Sequence, residues 1–126
     1  MLRYVIASVV LVALDVSFIR TVVSDRYKPM VTRIQGQPPI YRPIFGIITY
    51  AFMLLGLNLF VIPNIHTYSR WADSLVYGGG FGFCTFGMYS FTAMTVFHAW
   101  SLDVALADTA WGVFLYGASA VVSSYV

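Results

Sequence analysis

The sequence predicts an all-α fold: a polytopic membrane protein whose four transmembrane helices form one compact bundle, a single domain over residues 1–126. Two observations carry that prediction. Four apolar runs, residues 4–23, 44–62, 72–97 and 102–125, each approach the ~20 residues that a ~30 Å hydrocarbon layer requires. Composition agrees, with 60% of residues hydrophobic, 10% charged and all five acids Asp. A water-facing helical protein would use Glu, a favoured surface helix former, and none occurs.

The first run occupies the place of a secretory leader. Asp15 interrupts it, however, and Phe18, Ile19 and Arg20 stand where small residues precede a cleavage site, so it is expected to be retained as a helix. A basic loop follows, holding Arg20, Asp25, Arg26, Lys28, Pro29, Arg33, Gly36 and Arg42. Pro38, Pro39 and Pro43 push the residues before them toward extended geometry, so this loop is not one continuous helix, and Pro43 suits the first position of the second helix. Tyr41 and Arg42 fit the headgroup level. Residues 63–71 read as an interfacial hairpin, polar and aromatic through Asn64, His66, Tyr68, Ser69, Arg70 and Trp71. A tight turn around His98, Ala99 and Trp100 leads to Ser101, placed to cap the last helix, with Asp103 in its first turn.

An even number of crossings puts both termini on one side with the second loop, and the first and third loops on the other. Arg20, Arg26, Lys28, Arg33 and Arg42 fall on the first-loop side, against Arg3 and Arg70 opposite. The positive-inside rule then predicts a multi-pass protein with the first loop in the cytoplasm, or in the matrix of a mitochondrion, and the termini on the non-cytoplasmic or intermembrane-space side.

A charged side chain in hydrocarbon costs about 2.5–3.5 kcal/mol on insertion scales, which makes Asp15 and Asp108 the first candidates for function. At 1.5 Å per residue from the first-loop side, both lie roughly 10 Å deep. Tyr50, with Thr49, and Tyr89, Ser90 and Thr92 reach nearly the same level, so the four helices are expected to assemble one intramembrane polar layer. In it either Asp is protonated, or is held ionised by hydroxyl donors and a snorkelling Arg20 or Arg42. The layer reads either as a proton or cation site or as polar glue that sets helix register.

Gly78, Gly79, Gly80, Gly82 and Gly87 crowd the third run, and the Gly78-to-Gly82 spacing is the small-xxx-small pattern that lets helix backbones approach. Gly78, Gly79, Gly82, Gly87, Trp111 and Gly112 are therefore expected to pack helices together. A phosphate loop does not fit these glycines, because no Lys-Ser or Lys-Thr follows and no strand precedes. The lone Cys84 excludes an internal disulfide and is expected to pack as a buried thiol. His66 and His98 fall in loops on opposite sides and do not chelate one metal within a monomer. No Ser-His-Asp, Cys-His or paired-carboxylate signature has catalytic spacing, so neither an enzyme nor a cofactor site is expected. The net charge of +2, spread beside the crossings, does not suggest a nucleic-acid partner.

Several stretches together resemble a known family of small bacterial, algal and viral membrane proteins, domain of unknown function 2177. They are Leu14-Asp15, Ile62-Pro63, the Gly78 to Gly82 cluster, Tyr89-Ser90-Phe91-Thr92-Ala93, His98-Ala99-Trp100 and Asp108-Thr109-Ala110-Trp111-Gly112. Asp108, Trp111 and Gly112 are the most specific part. The resemblance implies a four-helix membrane fold and no known reaction. It also implies Asp at the position of Ser90 and Asn at that of Ala93, two departures in this chain.

The expected partners are the lipid bilayer and other membrane-protein subunits or further copies of the chain. A 14.0 kDa chain of helices and short loops has little surface for a soluble substrate. The expected function is a non-catalytic structural or accessory subunit of a larger respiratory, photosynthetic or virion membrane assembly. The alternative is a small proton, ion or solute carrier working through the Asp15–Asp108 layer.

Overall fold

The computed structural model describes residues 2–37 and 42–126. The readings on Pro38, Pro39 and Tyr41 fall outside them. Helix α1 (Leu2–Phe18) runs through a π-helical turn (Ile19–Val23) into α2 (Ser24–Gln35). Helix α3 (Pro43–Gly56) likewise passes through a π turn (Leu57–Val61) and ends in a 3-10 turn (Ile62–Asn64). After a second 3-10 turn (Thr67–Ser69), α4 (Arg70–Asp73), a π turn (Ser74–Gly79) and α5 (Gly80–Val96) form one uninterrupted helical run, and α6 (Leu102–Ser124) closes the chain. No strand occurs among the described residues.

Local chemistry explains the boundaries. Pro43 opens α3, where its missing N–H has no helical partner to lose. Ser101 caps α6, its Oγ accepting from the Val104 N–H at 3.1 Å. Gly36 stops α2 in the left-handed conformation, φ +78°, with its N–H bonded to the Thr32 carbonyl at 2.9 Å. The basic segment expected as loop from Arg20 onward is thus helical to Gln35, with Pro29 inside α2. What rewards the extension is burial: Met30 packs with Ala93, Trp100 and Val104, and its Sδ accepts from the Ser101 N–H.

Among the described residues, three helices are long and apolar enough to cross a membrane: Leu2–Thr21, Pro43–Asn64 and Leu102–Ser124. The expected four therefore reduce to three on this measure. The run from Arg70 to Val96 has the length, but its five glycines and its Ser, Thr and Tyr residues dilute the hydrocarbon. Cys84, expected to be buried, is exposed on α5. The apolar pattern around it marks an outer surface made for lipid, where apolar and buried are different properties.

α6 is the central helix, packed along α5, the π turn before it and α1. Its buried face carries Leu115, Tyr116 and Ala120, which cluster with Ala7 and Leu11 of α1 and Leu57, Val61 and Ile62 beyond α3. Without water to expel, such helices are held by van der Waals contact and hydrogen bonds, and close approach matters most. It is achieved at glycines. A Cβ on Gly78 would stand 2.8 Å from the Tyr116 carbonyl oxygen, and one on Gly82 would collide with the carbonyl oxygen of Gly112. Gly79 lies against Val113 and Gly87 against Thr109, whereas Gly80 faces open space.

One end of the bundle gathers Arg3, whose Nη2 donates to the Ile65 carbonyl at 2.7 Å, and Arg70, whose guanidinium lies 3.9 Å from the Tyr125 ring centroid. There Asp73 accepts from Ser69 Oγ at 2.7 Å and the His66 N–H at 2.9 Å. The other end holds α2 and the turn before α6. His66 and His98 lie at these opposite ends.

Candidate functional site

Asp15 and Asp108 are both buried, 7% and 5% exposed, and are the only carboxylates among the buried residues described. Each carboxylate is met by neutral donors. Tyr50 Oη on α3 donates to Asp15 Oδ2 at 2.8 Å, and Trp111 Nε1 on α6 donates to Asp15 Oδ1 at 3.0 Å. The Trp111 indole is fixed by stacking on Phe18, with ring centroids 4.3 Å apart and planes 7° from parallel. Around Asp108, Ser90 Oγ on α5 donates to Oδ2 at 2.9 Å, and Tyr27 Oη on α2 donates to the same oxygen. Ser90 is itself buried and accepts from Trp100 Nε1 at 3.2 Å, which extends the chain of donors into the turn before α6.

These five bonds join α1 to α3, α1 to α6, α2 to α6, α5 to α6, and α5 to the turn that enters α6. No arginine bonds either carboxylate among the described residues. Arg42 instead lies over the Phe45 ring, 4.4 Å from its centroid. Two carboxylates alone are a poor metal site, and no group of three or more His, Cys, Asp or Glu stands together among the described residues.

Of the residues expected in the layer, Asp15, Tyr50, Ser90 and Asp108 are brought into hydrogen-bonded contact. Tyr89 is 62% exposed and borders the cavity that holds both Asp residues, with its ring edge-on to Trp100. Thr92 lies on the outer face of α5, in a groove with Val96 and Trp100, and reaches neither carboxylate. Thr49 turns its hydroxyl back to the Phe45 carbonyl at 2.8 Å, although it also lines the cavity. Sequence reasoning missed Tyr27 and Trp100 as members of the Asp108 group, and placed Trp111 as a packing residue without its bond to Asp15. Tyr27 was concealed by the reading of its segment as loop. The only available signal was that a tyrosine and a methionine, Tyr27 and Met30, share one helical face three residues apart.

The fold and the site together define a small helical membrane protein with an internal polar network. The chain belongs to the family of predicted membrane proteins called domain of unknown function 2177 (DUF2177), which it matches over residues 1–125. No match was found among curated proteins or among solved structures.

Proposed function

We propose that this chain is a non-catalytic integral membrane subunit, crossing the bilayer four times and packing into a larger membrane assembly. The observation that carries this reading is the use made of the two buried carboxylates. Asp15 is met by a hydroxyl and an indole and Asp108 by two hydroxyls, all from neighbouring elements, as expected of groups that set helix register. The surface left over suits contact with lipid or other subunits: on α3 alone Ile44, Phe45, Ile47, Ile48, Phe52 and Leu55 are all exposed. In the fourth crossing, the run from Arg70 to Val96, four of the five glycines that lower its apolarity, Gly78, Gly79, Gly82 and Gly87, are turned toward α6, and Phe83, Met88 and Phe91 face outward. The clustering of Arg26, Lys28 and Arg33 in or beside α2 favours a cytoplasmic or matrix location for that end, with the termini opposite.

Native mass spectrometry of gently solubilised membranes tests the reading. The chain is expected in a defined complex with other polypeptides or in a fixed number of copies. A chain that leaves the membrane only as a monomer overturns it. The carrier alternative draws on one observation, that both Asp residues border a single cavity. It predicts that Asp15→Asn or Asp108→Asn abolishes a proton or ion flux in proteoliposomes while the protein still assembles.

A further inference from the structure

The cavity that Asp15 and Asp108 share has a volume of about 510 Å³ and lies between α3 and α5, with α1, α2 and α6 behind it. The two helices meet where Gly56 lies on the Phe81 ring, since a Cβ there would stand 2.5 Å from Phe81 Cζ. On the Pro43 side of that contact the space is lined by Thr49, Phe52 and Met53 from α3 and by Thr85, Phe86 and Tyr89 from α5. Both Phe52 and Tyr89 are more than half exposed, so the cavity opens sideways between these helices. The two carboxylates sit at its back. No Arg, Lys or His lines it among the described residues.

Chemistry narrows what fits such a space. Asp15 has a donor on each oxygen, but both donors to Asp108 go to Oδ2, and Oδ1 receives none among the described residues. An anion meets carboxylates with no countercharge. A purely apolar occupant leaves the Asp108 oxygen without a partner, a loss for any buried acceptor. Calcium asks for roughly six to eight oxygen ligands, whereas beside the two carboxylates the walls offer Thr and Tyr hydroxyls, four of which (Tyr27, Thr49, Thr85 and Tyr116) already donate to Asp108 or to backbone carbonyls. A cation carried on an apolar body satisfies all the groups at once. The carboxylates balance its charge, and Phe52, Phe81, Phe86 and Tyr89 line the space with the aromatic rings whose quadrupoles attract cations, as in the cages that take alkylated ammonium groups.

We propose that this cavity binds the ammonium head of an amphiphile, with the alkyl chain leaving between α3 and α5 into the lipid. The volume agrees, falling within the roughly 300–1,000 Å³ of ligand pockets and exceeding what a bare ammonium group fills. The same head chemistry is offered by an amine-bearing membrane lipid and by a free lipophilic amine. The inference is independent of the subunit reading, because binding is measured on the isolated chain.

The test is native mass spectrometry of the purified full chain in a neutral maltoside detergent, with decylammonium, whose N–H groups can also donate to Asp108 Oδ1, as probe and decyl sulfate and decyl glucoside as controls. One saturable adduct per chain is expected with the ammonium compound and none with the controls. Asp108→Asn, which keeps an oxygen for Tyr27 and Ser90 but removes the charge, is expected to weaken binding at least tenfold. Tyr89→Leu, on the exposed side of the cavity, should weaken it about three- to tenfold, the range of one partly desolvated cation–π contact. If Asp108→Asn does not fold, Tyr89→Leu decides. Retention of phosphatidylethanolamine that tetramethylammonium fails to displace assigns the head to a lipid, and displacement assigns it to a free amine. Equal binding of the anionic or neutral amphiphile, or wild-type binding by the folded variants, overturns the proposal.

Discussion

Replacing Gly82 by Ala adds one methyl group at the tightest point of the molecule. The new Cβ would collide with the Gly112 carbonyl oxygen and stand 3.0 Å from Tyr116 Cδ2. From the other side, a Cβ on Gly112 would stand 2.8 Å from Phe86 Cβ, so there is no slack on either helix. The principal obstacle is backbone, which no rotamer change moves aside. α5 and α6 must separate by roughly 1–2 Å to restore ordinary carbon contacts of about 3.5–4.0 Å, and a radial gap of about 0.5–1 Å already forfeits a quarter to a half of each neighbouring contact. We expect the upper end of the overpacking range, about 3 kcal/mol. For a chain of this size that lowers the midpoint by on the order of 10 °C. Thermal unfolding in dodecyl maltoside, followed by tryptophan fluorescence, measures it. Gly80→Ala is the control: nothing lies within 4 Å of the added atom, and a helical Gly→Ala change gains up to about 1 kcal/mol. The same substitution two residues apart should thus shift the midpoint in opposite directions. A Gly82→Ala variant that melts with the wild type or above it refutes the close-packing account.

Asp15→Leu takes the acceptor from the Trp111 indole, an unmet buried donor costing about 1–3 kcal/mol, and removes the Tyr50 bond to the same carboxylate, whereas Asp15→Asn keeps an acceptor and should fold; comparing their yields and midpoints separates the two. Trp100→Phe removes the donor to Ser90 and should cost about 0.5–1.5 kcal/mol, read as a lower midpoint, with no change expected if that bond is idle. A spin label on Cys84 should be relaxed efficiently by lipid-dissolved oxygen, as a hydrocarbon-facing site is; weak oxygen relaxation would place it inside the bundle. Cysteines introduced at Lys28 and Tyr125 should label with an impermeant reagent from opposite faces of sealed vesicles, and labelling from one face alone contradicts the four-crossing arrangement.

Much of this fold was legible where a residue type has one strong geometric use. Pro43 and Ser101 marked helix starts, and the glycine spacing marked a place where backbones touch. Counting residues inward also gave depth, and Asp15 with Tyr50 and Asp108 with Ser90 are joined as neighbours of equal depth. Depth carries no information about direction around the helix axis, which is why Thr92 shares the level yet faces outward. Cys84 shows the same limit, because an all-apolar helix has no polar stripe to reveal which side meets protein. The helical course of residues 24–35 was hidden by charge and by Pro29, and only the burial of Met30 against a turn some seventy positions away makes sense of it. The Arg70 to Val96 run was placed correctly as a helix, but its glycines serve packing at the expense of apolarity.

The three π turns have a consequence for how this chain tolerates changes in length. A π turn carries one residue more than the α-helical turn it replaces, so residues 19–23, 57–61 and 74–79 each hold a surplus position. Deleting one residue there lets the turn relax to α-helix while the segments on either side keep their facing. A deletion inside Pro43–Gly56 or Gly80–Val96 has no such reserve and rotates everything beyond it by about 100°, one residue's share of a 3.6-residue turn. Homologous chains that differ by single residues within these helices should therefore carry their gaps at the π turns, with Asp15, Tyr50, Gly82 and Asp108 undisturbed in register.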